Sequence, residues 1–390
     1  MEENPHHSRR TFLKGQSAVR LLADKAASWM EGAGSIGSSS ELHPSNKPLN
    51  ELTAVHLLAS RRAMACDFQV QYHAVDGPEA TNAMVTALDI VDTIEDQLTV
   101  YRDTSDVATI NTHAGQGPMV VEEQLYNLLK LSQQLCQKTN GAFDITSGPL
   151  SRIWGFLQRT GRLPDQTEID FARSWVGIDQ WHLDSDQQTI TLKDSHVEIN
   201  FNAIGKGYAL DQAAQWLDTQ NIDDYLWHGG RSSVLARGHN RSSPDQRVIV
   251  NQQNQDHDEL IPAGWTVGLP NPLQPKRRLA EIHLHNRALA TAGSNTQFFI
   301  QDGTHYGHLI DPRTGWPTNH VITATVIATT AAEADALATA FHIMGPDQTA
   351  NYCQQHTQVK AILVCPAEQK TNIEVHAFGM TPDDWTQRIE

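Results

Sequence analysis

Asp335 and Thr339 stand four positions apart in the run Ala334-Asp335-Ala336-Leu337-Ala338-Thr339. On a helix that spacing puts them one turn apart on a shared face. A carboxylate beside a hydroxyl offers hard oxygen ligands of the kind Mg²⁺ or Ca²⁺ accepts. The plainer alternative is that Thr339 bonds back to its own helix carbonyl while Asp335 is solvated. The apolar neighbours of Asp335 favour the ligand role. A second group is His308, with Ile310-Asp311-Pro312-Arg313-Thr314-Gly315 just downstream. An imidazole titrates near neutral pH and suits proton transfer. With 19 histidines in the chain, however, a given one is more often a surface or core residue. The third group is Gly205-Lys206-Gly207. At a helix start it combines bare N–H groups, the positive end of a dipole and an ammonium, which suits a phosphate. The same tripeptide also serves as an ordinary turn, and the Walker spacing is absent.

These groups need elements to hold them. Residues 321–329 are β-branched-rich and lie after Pro317, as a strand would. Thr330 and Glu333 form a capping-box pattern ahead of an Ala-rich helix. Upstream, residues 61–72 alternate as a strand, and residues 78–97 carry apolar side chains at helical spacing. A helix over 124–139 stops at Asn140-Gly141. The Gly-rich and Pro-rich stretch 141–150 fixes a loop path of the sort that touches ligands. Residues 190–199 read as a paired strand hairpin, 205–217 as a helix, and 226–238 as two strands around Gly229-Gly230. Strand character returns at 265–270, and a glycine turn separates two apolar runs over 288–300. No βαβ period occurs, so the pattern predicts an α+β fold, with mixed or antiparallel sheets flanked by helices.

The 390 residues can bury an ample core, and a net charge of −16 argues against a nucleic-acid partner. No apolar run is long enough for a transmembrane helix. Cys66, Cys136, Cys353 and Cys365 lack CxxC spacing, which excludes a zinc ribbon or disulfide framework as the main reading. Ser8-Arg9-Arg10-Thr11-Phe12-Leu13-Lys14 matches the twin-arginine export pattern. A working signal implies the periplasm. Arg20, Asp24 and Lys25 interrupt the segment just downstream, which fits a surface amphipathic helix on a cytoplasmic protein. Residues 31–48 read as a flexible linker. The expected organisation is an N-terminal segment over 1–50 and one folded domain over 51–390, with a polar, solvent-exposed insertion at about 239–262.

The order of these motifs resembles the FAD:protein FMN transferase family, the ApbE-like flavin transferases. The resemblance rests on the Met64 strand, Gln97-Leu98-Thr99-Val100-Tyr101, Gly141-Ala142-Phe143-Asp144-Ile145-Thr146, and Ala203-Ile204-Gly205-Lys206-Gly207. It is most specific at Gly307-His308-Leu309-Ile310-Asp311-Pro312-Arg313-Thr314-Gly315 and at 334–339. It implies the ApbE-like fold and a single catalytic domain that binds FAD and Mg²⁺ and cleaves the pyrophosphate. FMN would pass to a Thr or Ser hydroxyl of an acceptor flavoprotein, with release of AMP. By similarity, Asp335, Thr339 and the Ala203 carbonyl hold the metal. Lys206 and Arg313 face the phosphates. Met64, Tyr101, Ala142, Phe143, Asp144, Asn200 and Leu309 contact FAD, with the rings of Tyr101 and Phe143 available to a flat ligand. His308 is the catalytic residue, as general base or, alternatively, in phosphate positioning. Two other activities share these motifs: hydrolysis of FAD to FMN and AMP, and non-catalytic flavin carriage. The chain departs from the family at Ala65-Cys66, where Gly-Thr is common, at Asn200 in place of Asp, at Ala292 in place of Ser, and at Arg231 after the Gly pair.

Overall fold

A computed structural model describes residues 55–241, 247–250, 259–262, 264–294, 297–367 and 372–388. The twin-arginine-like segment and linker lie outside the described residues, as does most of the polar insertion. Of the insertion, only residues 239–241 and the paired strands Arg247–Val250 and Glu259–Pro262 are described.

The centre is an eight-stranded antiparallel sheet whose spatial order matches the sequence order. Its strands are β1 (His56–Ala63), β2 (Cys66–His73), β3 (Tyr225–Gly229), β4 (Ser233–Arg237), β5 (Arg287–Gly293), β6 (Thr323–Ala328), β7 (Lys360–Pro366) and β8 (Ile373–Phe378). Side chains alternate between two cores, as the two-residue period of a strand demands. Trp227, Leu235, Ala288, Ala290, Ala324, Val326, Ala328 and Leu363 face one core. Leu226, Val234, Ala236, Leu289, Ile327 and Ile362 face the other, beneath a small sheet of Trp265–Pro270, Arg278–Leu284 and Trp385–Gln387. Both faces are buried at the central strands β6 and β7, so those strands read as continuous apolar runs.

Seven α-helices are described: α1 (Gly77–Leu98), α2 (Asp106–Thr112), α3 (Glu123–Lys138), α4 (Gly148–Ile153), α5 (Gln166–Arg173), α6 (Gly205–Thr219) and α7 (Ala331–Gln355). The alanines on the first core's side of the sheet let α6 and α7 lie close above it. Those two helices meet at Gly207. A Cβ there would sit 2.0 Å from the Ala331 carbonyl oxygen, so only glycine fits. Asp211, one turn further along α6, accepts the Ala331 and Ala332 N–H groups at 2.8 Å each. Burial pushes the pKa of this carboxyl up to about 6, against the pull of those two donors. Thr330 also caps α7 by accepting the Glu333 N–H.

Three sequence expectations change. Residues 61–72 form two strands, because Met64 and Ala65 take φ of 47° and 59° and close a two-residue hairpin turn. Neither is the Gly or Asn that such a turn prefers, which hid it. The strand hairpin expected at 190–199 lies upstream, between Trp181–Asp184 and Thr189–Leu192. The second apolar run of 288–300 leaves the main sheet and pairs as Phe298–Gln301 with Thr304–Gly307.

Replacing Gly207 with Ala should force α6 and α7 apart and cost upward of about 3 kcal/mol. A urea titration should show a lower midpoint at unchanged slope.

Candidate active site

The start of α6 and the first turns of α7 present facing polar groups. Asp335 is 7 % exposed, so the alternative that left it solvated does not hold. Its Oδ2 accepts the Gly207 N–H at 2.7 Å and its Oδ1 accepts the Ser233 hydroxyl at 2.6 Å. Both donors are neutral, and among the described residues no salt bridge reaches Asp335. A buried carboxylate without a counter-charge is costly unless a cation joins it. The Gly207 N–H, engaged with Asp335, does not turn back four residues to the Ala203 carbonyl. That oxygen precedes the first turn of α6, and Thr339 lies half-buried one turn past Asp335. The donor set (carboxylate, hydroxyl, carbonyl) fits a hard divalent cation.

His308 comes directly after the strand Thr304–Gly307. Its Nδ1 lies 3.1 Å from the Gln297 carbonyl oxygen. A carbonyl only accepts, so Nδ1 carries the proton and Nε2 keeps its lone pair. Burial lowers the His308 pKa below 6.5; the Gln297 bond opposes the shift and the nearby Lys206 ammonium adds to it. At neutral pH the ring is therefore a neutral base. Lys206 and His308 are thus brought together from distant parts of the sequence. Cys66, which the Met64–Ala65 turn delivers, lies close enough to feel both Lys206 and Asp335, although burial keeps it a thiol.

The loop Asp311–Gly315 is strapped down by Trp154, whose indole N–H donates to the Gly315 carbonyl. Arg313 makes a two-pronged bond to Asp311, Nε to Oδ1 at 2.8 Å and Nη2 to Oδ2 at 2.9 Å. Its guanidinium is already paired. Arg313 and Asp144 share a cavity of about 570 Å³ with Gly141, Arg173 and Gly177. Asp144 accepts the Thr146 N–H and hydroxyl and the Cys136 thiol, and burial raises its pKa. Asn200 ties this segment to the approach to α6 by donating its N–H to the Ile145 carbonyl.

The expectation that Phe143 offers its ring to a ligand fails: the side chain is 1 % exposed, inside the main core. Ala142 is equally buried, and the N–H groups of both residues are satisfied by Thr139. Tyr101 is 69 % exposed and keeps its ring open to solvent. Leu309 is buried, and Met64 packs partly against the main core. Sequence reading missed Ser233 and Asp211. The signal for Asp211 was its place one turn beyond Gly207 on the same helix face. Ser233 had none beyond its nearness to the glycine pair.

A profile of the ApbE family matches residues 64–363. The chain belongs to the ApbE family. It is 29 % identical over 299 residues to the FAD:protein FMN transferase of Vibrio cholerae serotype O1, covering 75 % of this chain and 82 % of the relative. The Klebsiella pneumoniae strain 342 protein of the same name is 30 % identical over 276 residues, covering 69 % and 73 %. The solved Vibrio cholerae flavin transferase ApbE superposes with a TM-score of 0.67 at 25 % identity, covering 83 % of this chain and 96 % of that one. The Thermotoga maritima ApbE protein gives 0.70 at 24 % identity, over 83 % and 97 %, and shares the fold. This ApbE-family chain is therefore α+β, as its sequence predicted.

Titrating His308 by NMR should give a pKa below 6.5. In Lys206→Met the value should rise, because one of the two influences lowering it is gone, though burial remains.

Proposed function

We propose that this enzyme transfers FMN from FAD to a Thr or Ser hydroxyl of an acceptor flavoprotein and releases AMP, with Mg²⁺ as cofactor. The observation that carries the reading is the buried Asp335 carboxylate, which has only neutral donors and faces the Lys206 helix start. Its relatives' name supplies the flavin chemistry.

In this reading the hydroxyl oxygen of the acceptor attacks the phosphorus on the riboflavin side of the pyrophosphate. A new O–P bond forms, the bridging P–O bond breaks, and the bridging oxygen leaves with AMP. The hydroxyl proton goes to Nε2 of His308, the unprotonated nitrogen of a ring held by Gln297. Lys206 and the positive end of α6 stabilise the charge that grows on the phosphates. Asp335, Thr339 and the Ala203 carbonyl would hold the Mg²⁺, which when bound supplies further neutralisation of that charge. Arg313 can reach a phosphate only by sharing or leaving its bond to Asp311. Met64, Tyr101, Asp144, Asn200 and Leu309 would line the FAD path, with Ala142 and Phe143 contributing backbone alone.

The test is incubation with FAD, Mg²⁺ and a candidate acceptor peptide. A fluorescent, covalently labelled peptide with equimolar AMP is expected. FMN and AMP without labelling would instead mean hydrolysis, and intact FAD would mean a carrier. His308→Ala should lower the transfer rate by about 10²–10⁴-fold. Asp335→Ala should abolish turnover; full activity of that variant in EDTA would remove the metal from the reading.

A further inference from the structure

Asp335 owes its orientation to a strand residue outside the proposed ligand set. We propose that Ser233, on β4, is a positioning residue for the cation site, and that Ser232 drives it. The inference rests on the metal-dependent reading and adds to it the element that aims the carboxylate.

Ser233 is fully buried and lies 2.6 Å from Asp335 Oδ1. The ionised carboxylate only accepts, so the single proton of the Ser233 hydroxyl is committed to it. Ser232 Oγ lies 3.3 Å from Ser233 Oγ. With Ser233's proton spent, Ser232 must be the donor in that contact. The bonds therefore run one way, from Ser232 to Ser233 to Asp335, and each donor polarises the next hydroxyl. The head of the chain is held in place, because the Ser232 carbonyl accepts the Thr291 N–H of β5 at 2.8 Å.

Gly207 N–H pins the other oxygen at 2.7 Å. A carboxylate held at both oxygens by donors on different elements cannot turn about its Cβ–Cγ bond. Each oxygen has one lone pair engaged and one left for a cation. Burial excludes water that could replace the Ser233 hydroxyl. Outer hydrogen bonds of this kind set the direction of a metal ligand, and their loss typically weakens metal binding 10–100-fold.

Mn²⁺ is the probe, titrated into the full-length chain with the free ion read by EPR. Wild type should bind and Asp335→Ala should not. Ser233→Ala should raise the Mn²⁺ dissociation constant at least about 10-fold while the metal-free protein remains folded by circular dichroism. Ser232→Ala should give a smaller rise, and Ser233→Thr, which keeps the hydroxyl, should stay near wild type. Transfer assays should show a raised Mg²⁺ requirement for Ser233→Ala, with the rate recovered at high Mg²⁺. A Ser233→Ala constant within about twofold of wild type, beside loss of binding in Asp335→Ala, would overturn the role of Ser233 alone. If Ser233→Ala does not fold, an unchanged constant in Ser232→Ala overturns the proposal. Absence of Mn²⁺ binding by wild type would overturn the metal reading itself.

Discussion

The crossing of α6 over the start of α7 is the constraint on which the rest of the molecule depends. With a side chain's first carbon excluded at Gly207, the two backbones approach as closely as packing allows. That proximity lets one helix satisfy the other: Asp211 covers the first N–H groups of α7, and Asp335 covers an N–H of α6. Two helix ends whose donors would otherwise go unpartnered thus cap each other through carboxylates, Asp335 buried and Asp211 partly so. Each helix contributes one carboxylate to the contact, and alanines pack on the sheet beside it.

The same exchange creates the site's chemistry. Drawing the Gly207 N–H toward Asp335 takes it away from the Ala203 carbonyl. The negative charge needed for the fold is the charge a cation would meet. Opposite it, His308 is kept neutral chiefly by burial and oriented by one carbonyl. Lys206 and His308 lie about a hundred positions apart in the sequence, yet each is fixed at a strand or helix end rather than on a free loop.

Much of this was legible in the sequence. The capped Ala-rich helix, the αL stop at Asn140-Gly141 and the two strands around Gly229-Gly230 are local signals, and they appear where local chemistry put them. Lys206 at a helix start was equally plain. What could not be read was partnership. Nothing in the run 334–339 says that Asp335 will accept from Ser233, because that bond joins residues 102 positions apart. The Met64–Ala65 turn was hidden by residues that tolerate its backbone poorly. Phe143 misled for a related reason. An aromatic beside a loop glycine suggests exposure, while its neighbours on α3 and the sheet enclose it. Arg313 looked free because sequence does not reveal that Asp311, two residues before it, already matches its fork.

The helix that carries Asp335 and Thr339 is broken at Gly345, which takes φ of 76° and ψ of −177° ahead of Pro346. In an unbroken helix, each residue gained or lost would rotate every later side chain by about 100° around the axis. The break resets that angular register. The 331–344 half keeps its own rotational setting relative to α6, whatever the segment after Pro346 does to meet β7. The helix is best regarded as two independently phased rods joined end to end, with Asp335 and Thr339 both on the first.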